Sequence, residues 1–89
     1  MIGGNYCWVC GSTQDLHTHE IYFAANRKIS IKHGFQVRLC GRHHNLSNEG
    51  VHFNKELDLK LKRICQEEYE QTHTRSEFMR LIGRNYILD

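Results

Sequence analysis

The segment Leu39-Cys40-Gly41-Arg42-His43-His44-Asn45 decides how this chain of 89 residues is organised. It places a cysteine three residues before a histidine, the spacing at which a tight turn directs two side chains at one metal ion. An earlier pair, Cys7 and Cys10, has the same spacing. The two pairs together offer three thiolates and one imidazole, a ligand set that suits closed structural zinc sites. The sequence therefore predicts a structural zinc site formed by Cys7, Cys10, Cys40 and His43.

Length and composition limit the class of protein. A chain of 89 residues forms one small domain, and a domain of this size buries only about 60–65% of its unfolded surface, so a stabilising metal ion is expected. No apolar run approaches the roughly 20 residues that span a bilayer, and the N-terminus lacks the pattern of a signal peptide. We therefore expect a cytoplasmic protein without a membrane partner, in which reduced cysteines bind metal and do not form disulfides.

Basic residues are concentrated in the middle of the chain. Between Ile21 and His44 there are five basic residues and no acid, whereas most of the ten acidic residues follow Asn48. Such a segment is either a solvated face or, beside a metal centre, a surface that binds phosphate groups. The candidate phosphate-binding residues are Arg27, Lys28 and Arg42.

A β-hairpin is predicted before the cysteine–histidine segment. Residues 15–23 alternate in part and are rich in β-branched and aromatic side chains, and residues 35–39 alternate strictly, so both are predicted strands. On the first strand His17, His19 and Ile21 share one face. Residues 24–34 are basic and polar, and we expect them to form a long loop with room for a short helical turn.

Two helices are predicted after the metal-binding part. The first begins at Asn54 and runs to about residue 71, with apolar residues at spacings of three and four and Cys65 as a buried apolar member. The second follows the capping box Thr74-Arg75-Ser76-Glu77 and ends at Gly83. The predicted fold is a single α+β domain over residues 1–89. Residues 1–53 hold the zinc knuckles, the hairpin and the metal centre, and residues 54–89 form supporting helices.

Five of the seven histidines lie near the predicted zinc site, and the pattern around them resembles a known family. The segments at residues 19–28, 39–44, 50–58 and 83–86 resemble small HNH endonuclease-like proteins encoded in bacteriophage and prophage genomes. The resemblance implies a ββα-metal core, in which a β-hairpin and a helix hold one catalytic metal ion. It also implies the cytoplasm of a bacterial host as the location.

The resemblance implies a role for particular residues. His19, His44 and His52 would bind the catalytic metal ion, and Asn26 would steady the loop behind the general base. Glu20 stands where the family has the histidine that deprotonates water, and a glutamate with an ordinary pKa of about 4.3 is a weak base unless burial raises its pKa. His17 shares a strand face with His19 and is the alternative base.

The implied activity is metal-dependent hydrolysis of phosphodiester bonds, in DNA more than in RNA. Imidazole ligands suit zinc, nickel or manganese, and magnesium less well, so the second metal could be any of these four. Two other hypotheses stay open. One is a catalytically silent, zinc-stabilised module that binds nucleic acid, and the other is a protein-interaction adaptor that shares the scaffold.

Overall fold

An antiparallel hairpin carries the metal-binding part of the chain. In a computed structural model, which describes residues 3–45, 47 and 49–87, strand β1 (Leu16–Glu20) pairs with strand β2 (Gln36–Cys40). The register sets Leu16 opposite Cys40 and Glu20 opposite Gln36. Both strands lie where the sequence predicts them, and the hairpin together with the helices described below makes the fold α+β.

The connection between the strands is helical over most of its length, whereas the sequence predicted a loop with at most a short helical turn. A 3₁₀ turn (Ala24–Asn26) leads into helix α1 (Arg27–His33), which ends at Gly34 with a φ of 69°. The reason is a tertiary contact, because Ser30 is fully buried and its hydroxyl donates to the Tyr22 carbonyl at 2.7 Å. The Tyr22 N–H donates back to the same hydroxyl at 3.1 Å. The buried Ser30 hydroxyl thus both donates and accepts a hydrogen bond, as a buried polar group requires.

A short helix follows the second strand without a linker. Helix α2 (Gly41–His44) starts directly after Cys40, whose backbone is still extended. The Gly41 N–H donates to the Asp15 carbonyl at 3.0 Å, so the start of this helix is tied to the residue before β1. The segment that carries two candidate ligands is thereby fixed against the hairpin.

Two longer helices cover the hairpin and supply its core. Helix α3 (Lys55–Tyr69) begins at Asn54, whose side chain accepts from the Leu57 N–H at 3.1 Å. Helix α4 (Arg75–Ile82) begins with the predicted capping box and ends at Gly83. The fully buried residues of these helices pack in one core with the hairpin, among them Leu61, Cys65 and Phe78. None of the described helices is both long enough and apolar enough to cross a membrane.

Candidate metal centres

The predicted zinc ligands come together at the open end of the hairpin. Cys7 and Cys10 lie on a turn closed by a hydrogen bond from the Gly11 N–H to the Cys7 carbonyl at 2.8 Å, with Gly11 at a φ of 78°. The Trp8 N–H donates to the Arg38 carbonyl at 2.8 Å, which holds this turn beside β2. The ligand atoms that lie within 4.8 Å of one another belong to Cys7, Cys10, Cys40 and His43.

The separations within this Cys3His site match the edges of a tetrahedral zinc site. Two sulfurs bound to one zinc ion at about 2.3 Å are about 3.8 Å apart. The Sγ atoms of Cys10 and Cys40 lie 3.8 Å apart, far beyond a disulfide bond, and the cysteines are free. Cys40 Sγ lies 3.3 Å from His43 Nδ1, and Cys7 Sγ lies 3.8 Å from the same nitrogen. These four residues could hold one structural metal ion.

The acidity of the thiols differs across the Cys3His site. Burial raises the pKa of the Cys7 thiol, but hydrogen bonds from the backbone at Cys40, Cys10 and Val9 outweigh it and lower this pKa to about 6. Burial raises the pKa of the Cys40 thiol, and the neighbouring sulfurs of Cys7 and Cys10 contribute in the same direction. A bound cation would favour the thiolate form of all three cysteines.

A second cluster contains only histidines. Its ligand nitrogens lie within 4.8 Å of one another and belong to His19, His44 and His52. Two of them, His44 Nε2 and His52 Nε2, are 3.2 Å apart, close to the roughly 3.3 Å expected for two imidazole nitrogens on one tetrahedral ion. His19 is 2% exposed, and its Nε2 is buried with no hydrogen-bond partner. A buried nitrogen without a partner is costly, and a metal ion would satisfy it.

The eight-residue interval between His44 and His52 is closed by a reversal of the chain. The Val51 N–H donates to the His43 carbonyl at 2.9 Å, and the His52 N–H donates to the His44 carbonyl at 3.3 Å. Gly50 makes this approach possible, because a Cβ there would lie 2.7 Å from the His44 carbonyl oxygen. Two residues distant in sequence thus reach the same point.

The environment favours the neutral form of two histidines of this cluster. Burial lowers the pKa of His19 to about 3, and repulsion from His44, His52 and Lys62 adds to the effect. Burial also lowers the pKa of His44, with smaller contributions from His52 and His17, while the charge of Glu20 opposes them. Neutral imidazole is the form that binds metal, so His19 and His44 are in the metal-binding form near neutral pH.

The three residues predicted to assist catalysis lie at different distances from the histidine cluster. His17 touches it directly, because its Nδ1 lies 2.9 Å from His44 Nδ1. Glu20 is near enough for its charge to act on His44, and its Oε1 lies 3.3 Å from Arg27 Nη2. Asn26 points elsewhere, since its Nδ2 donates to the Ile82 carbonyl at 3.1 Å and ties the 3₁₀ turn to the end of α4.

The candidate phosphate-binding residues are exposed, and two of them are paired with acids. Arg27 contacts Glu20, and the Arg42 guanidinium is hydrogen-bonded to the exposed carboxylate of Glu49. Lys28 lies on the exposed side of α1. Both partners of the Arg42–Glu49 pair are exposed and screened by solvent, so Arg42 could readily exchange its carboxylate for phosphate. The Arg27–Glu20 pair is less screened, because the Glu20 side chain is only 17% exposed.

Two residues beside the histidine cluster were not predicted from the sequence. Asp15 accepts from His17 Nε2 at 3.1 Å, and Lys62 places its ammonium 4.3 Å from the centre of the Phe23 ring and 2.9 Å from Asp58 Oδ2. The local signal in the sequence for Asp15 was its position two residues before His17. Lys62 has no such signal, because only the packing of α3 brings it to the site.

Comparison with known proteins adds no assignment. No family model, no curated protein and no solved structure matches the chain. The fold and the two clusters define a small α+β protein with a Cys3His group that could hold a metal ion.

Proposed function

We propose that this protein is a metal-dependent endonuclease of the HNH type, which hydrolyses phosphodiester bonds in nucleic acid and prefers DNA. The observation that carries the proposal is the convergence of His19, His44 and His52 beside a separate Cys3His site. A nucleic-acid-binding module that zinc merely stabilises needs only the Cys3His site. The sequence resemblance supports a ββα-metal core built from the hairpin and α2, and a bacteriophage or prophage setting.

The histidine cluster is arranged to present an ion to a substrate. His19 is buried and fixes one side, whereas His52 is exposed and leaves the other side open to solvent. A divalent ion bound here would supply polarisation of the scissile phosphate and stabilisation of the departing oxygen. The open side is therefore where a phosphate would approach.

Glu20 is the carboxylate placed to act as general base. It pairs with Arg27 in the free protein, and its carboxylate is near enough to the histidine cluster for its charge to act on His44. A substrate phosphate would compete for the guanidinium of Arg27, which is 64% exposed, and would release Glu20 to deprotonate water. Lys28 and Arg42 would bind flanking phosphates.

Nicking of supercoiled plasmid by the purified protein tests this proposal. Cleavage that requires added manganese, nickel or magnesium is expected, and His44→Ala should abolish it. His73→Ala is the matched control, because His73 is exposed and stacks on Tyr69 away from both clusters, and it should cut normally. Metal analysis should find two ions per chain in the wild type. Cleavage that survives in His44→Ala would refute the proposal.

The alternative function is a zinc-stabilised module that binds nucleic acid without cutting it. The observation that favours it is Glu20, a carboxylate paired with Arg27 at the position where the family has a histidine base. Retained DNA binding, one metal ion per chain and no cleavage with any metal would establish it. Charge reversal at Arg27 and Lys28 should then weaken DNA binding, and unchanged affinity would count against nucleic acid as the partner.

A further inference from the structure

A chain of hydrogen bonds runs from a carboxylate to the histidine cluster. Asp15 Oδ1 lies 3.1 Å from His17 Nε2, and His17 Nδ1 lies 2.9 Å from His44 Nδ1. The other ring nitrogen of His44 lies 3.2 Å from His52 Nε2, inside the cluster. His44 is therefore held from one side by His17 while it faces the other histidines with its second nitrogen.

Metal binding by His44 determines which ring nitrogen of His44 and of His17 carries a proton. A nitrogen that binds a metal offers a lone pair, so His44 Nε2 carries no proton and its Nδ1 carries one. His44 Nδ1 then donates to His17 Nδ1, which must be bare. His17 carries its own proton on Nε2 and donates it to the Asp15 carboxylate. Each contact in this arrangement has one donor and one acceptor.

We propose that Asp15 and His17 are positioning residues that hold His44 in the tautomer and ring orientation that bind the second metal ion. The proposal rests on the histidine metal site of the proposed function, though not on its activity. Ligand histidines commonly donate their second ring N–H to such a partner, which orients the ring and raises its basicity. Here the Asp15 carboxylate orients His17, and His17 in turn orients His44.

The backbone of Asp15 also contacts the helix that carries His44. Asp15 has a φ of 51°, a left-handed conformation that non-glycine residues adopt infrequently. Its carbonyl accepts from the Gly41 N–H at 3.0 Å, at the start of the helix that carries His44. Asp15 is therefore linked to the segment of His44 twice. Its side chain is linked through His17, and its backbone through Gly41.

This arrangement separates the two candidate bases. Both ring nitrogens of His17 are occupied, one by Asp15 and one by His44, so neither is available to take a proton from water. The role of base falls to Glu20, whose carboxylate is near His44 but outside this chain of hydrogen bonds.

Cobalt titration of protein carrying one equivalent of zinc tests the proposal. Zinc occupies the thiolates, so added cobalt reports the histidine site through its visible absorption, and cobalt–thiolate charge-transfer bands would reveal any entry into the Cys3His site. The variants are His17→Phe, Asp15→Ala and His17→Asn, whose Oδ1 takes the position of His17 Nδ1 and can still accept from His44. Thr18→Val is the control, because Thr18 is an exposed residue of the same strand.

His17→Phe should weaken cobalt binding by about 10–100-fold. Asp15→Ala should weaken it in the same direction but less, because Asp15 acts through His17 and its side chain is 60% exposed. His17→Asn should recover part of the affinity, and Thr18→Val should bind as the wild type does. Unchanged affinity in His17→Phe, with loss of plasmid cleavage, would overturn the proposal and make His17 the base. Equal weakening in Thr18→Val would also overturn the proposal, because the loss of cobalt affinity would then reflect damage to the strand.

The two proposals can fail separately. Wild-type protein that binds cobalt with the expected ranking of variants but cuts no nucleic acid would support the positioning role and refute the nuclease. Wild-type protein that binds no second ion would refute both. A wild type that cuts, with variants of unaltered cobalt affinity, would refute the positioning role alone.

Discussion

His43 and His44 are neighbours on one short helix, yet their imidazoles belong to different clusters. His43 Nδ1 lies 3.3 Å from Cys40 Sγ, whereas His44 Nε2 lies 3.2 Å from His52 Nε2. Successive residues of a helix point about 100° apart, so one turn can serve both sites. The position of His44 consequently depends on how firmly the Cys3His site holds α2.

Loss of a thiolate ligand should unfold the domain. Structural zinc contributes roughly 10 kcal/mol or more in small zinc domains, which exceeds the stability expected of a core this small. Cys7→Ser and Cys40→Ser should each abolish the cooperative thermal transition seen by circular dichroism, and a strong chelator should do the same to the wild type. A cooperative melt that persists without zinc would contradict the assignment of a structural site.

Removal of His44 should have a different effect. His44→Ala leaves the four residues of the Cys3His site in place, so the fold should persist while the metal content falls from two ions to one. Mass spectrometry of the native protein would count the ions, and the melting temperature of the zinc-loaded form would report the fold. If the variant melts like Cys40→Ser, the two metal sites have been assigned wrongly.

Local patterns in the sequence predicted the parts of this structure that local geometry determines. The spacing of Cys40 and His43 predicted their convergence because one tight turn suffices to produce it. The extent of helix α1 was missed because Ser30 is buried against Tyr22, eight residues earlier, and the polar composition of the segment gives no sign of that contact. The partner of His17 was missed for the same reason, since only the hairpin register and α2 bring His44 to it.

Cys65 should resist alkylation in the folded protein. The residue is 2% exposed, and burial raises the pKa of its thiol to about 12, so it contains about 1,000-fold less thiolate than an ordinary cysteine with a pKa of 9.0. Iodoacetamide followed by peptide mass spectrometry should show no adduct at Cys65 until denaturant is added. Labelling of Cys65 in the zinc-loaded native protein would contradict its place in the core.

Gly50→Ala should damage the histidine site and spare the Cys3His site. The added Cβ would lie 2.7 Å from the His44 carbonyl oxygen and 3.0 Å from that of Ser47, and backbone atoms cannot move aside as a flexible side chain can. The chain reversal that brings His52 to His44 would open. We expect at least a tenfold loss of second-metal affinity, together with about 1–3 kcal/mol of lost stability from overpacking.

Gly34→Ala separates this effect from a general loss of stability. Gly34 has a φ of 69° with open space around its Cα, so alanine there is strained by about 1 kcal/mol but collides with nothing. Cobalt titration of the zinc-loaded variants should show normal second-site affinity in Gly34→Ala and weakened affinity in Gly50→Ala. Equal affinities in the two variants would mean that the approach of residue 50 to His44 does not position the metal ligands.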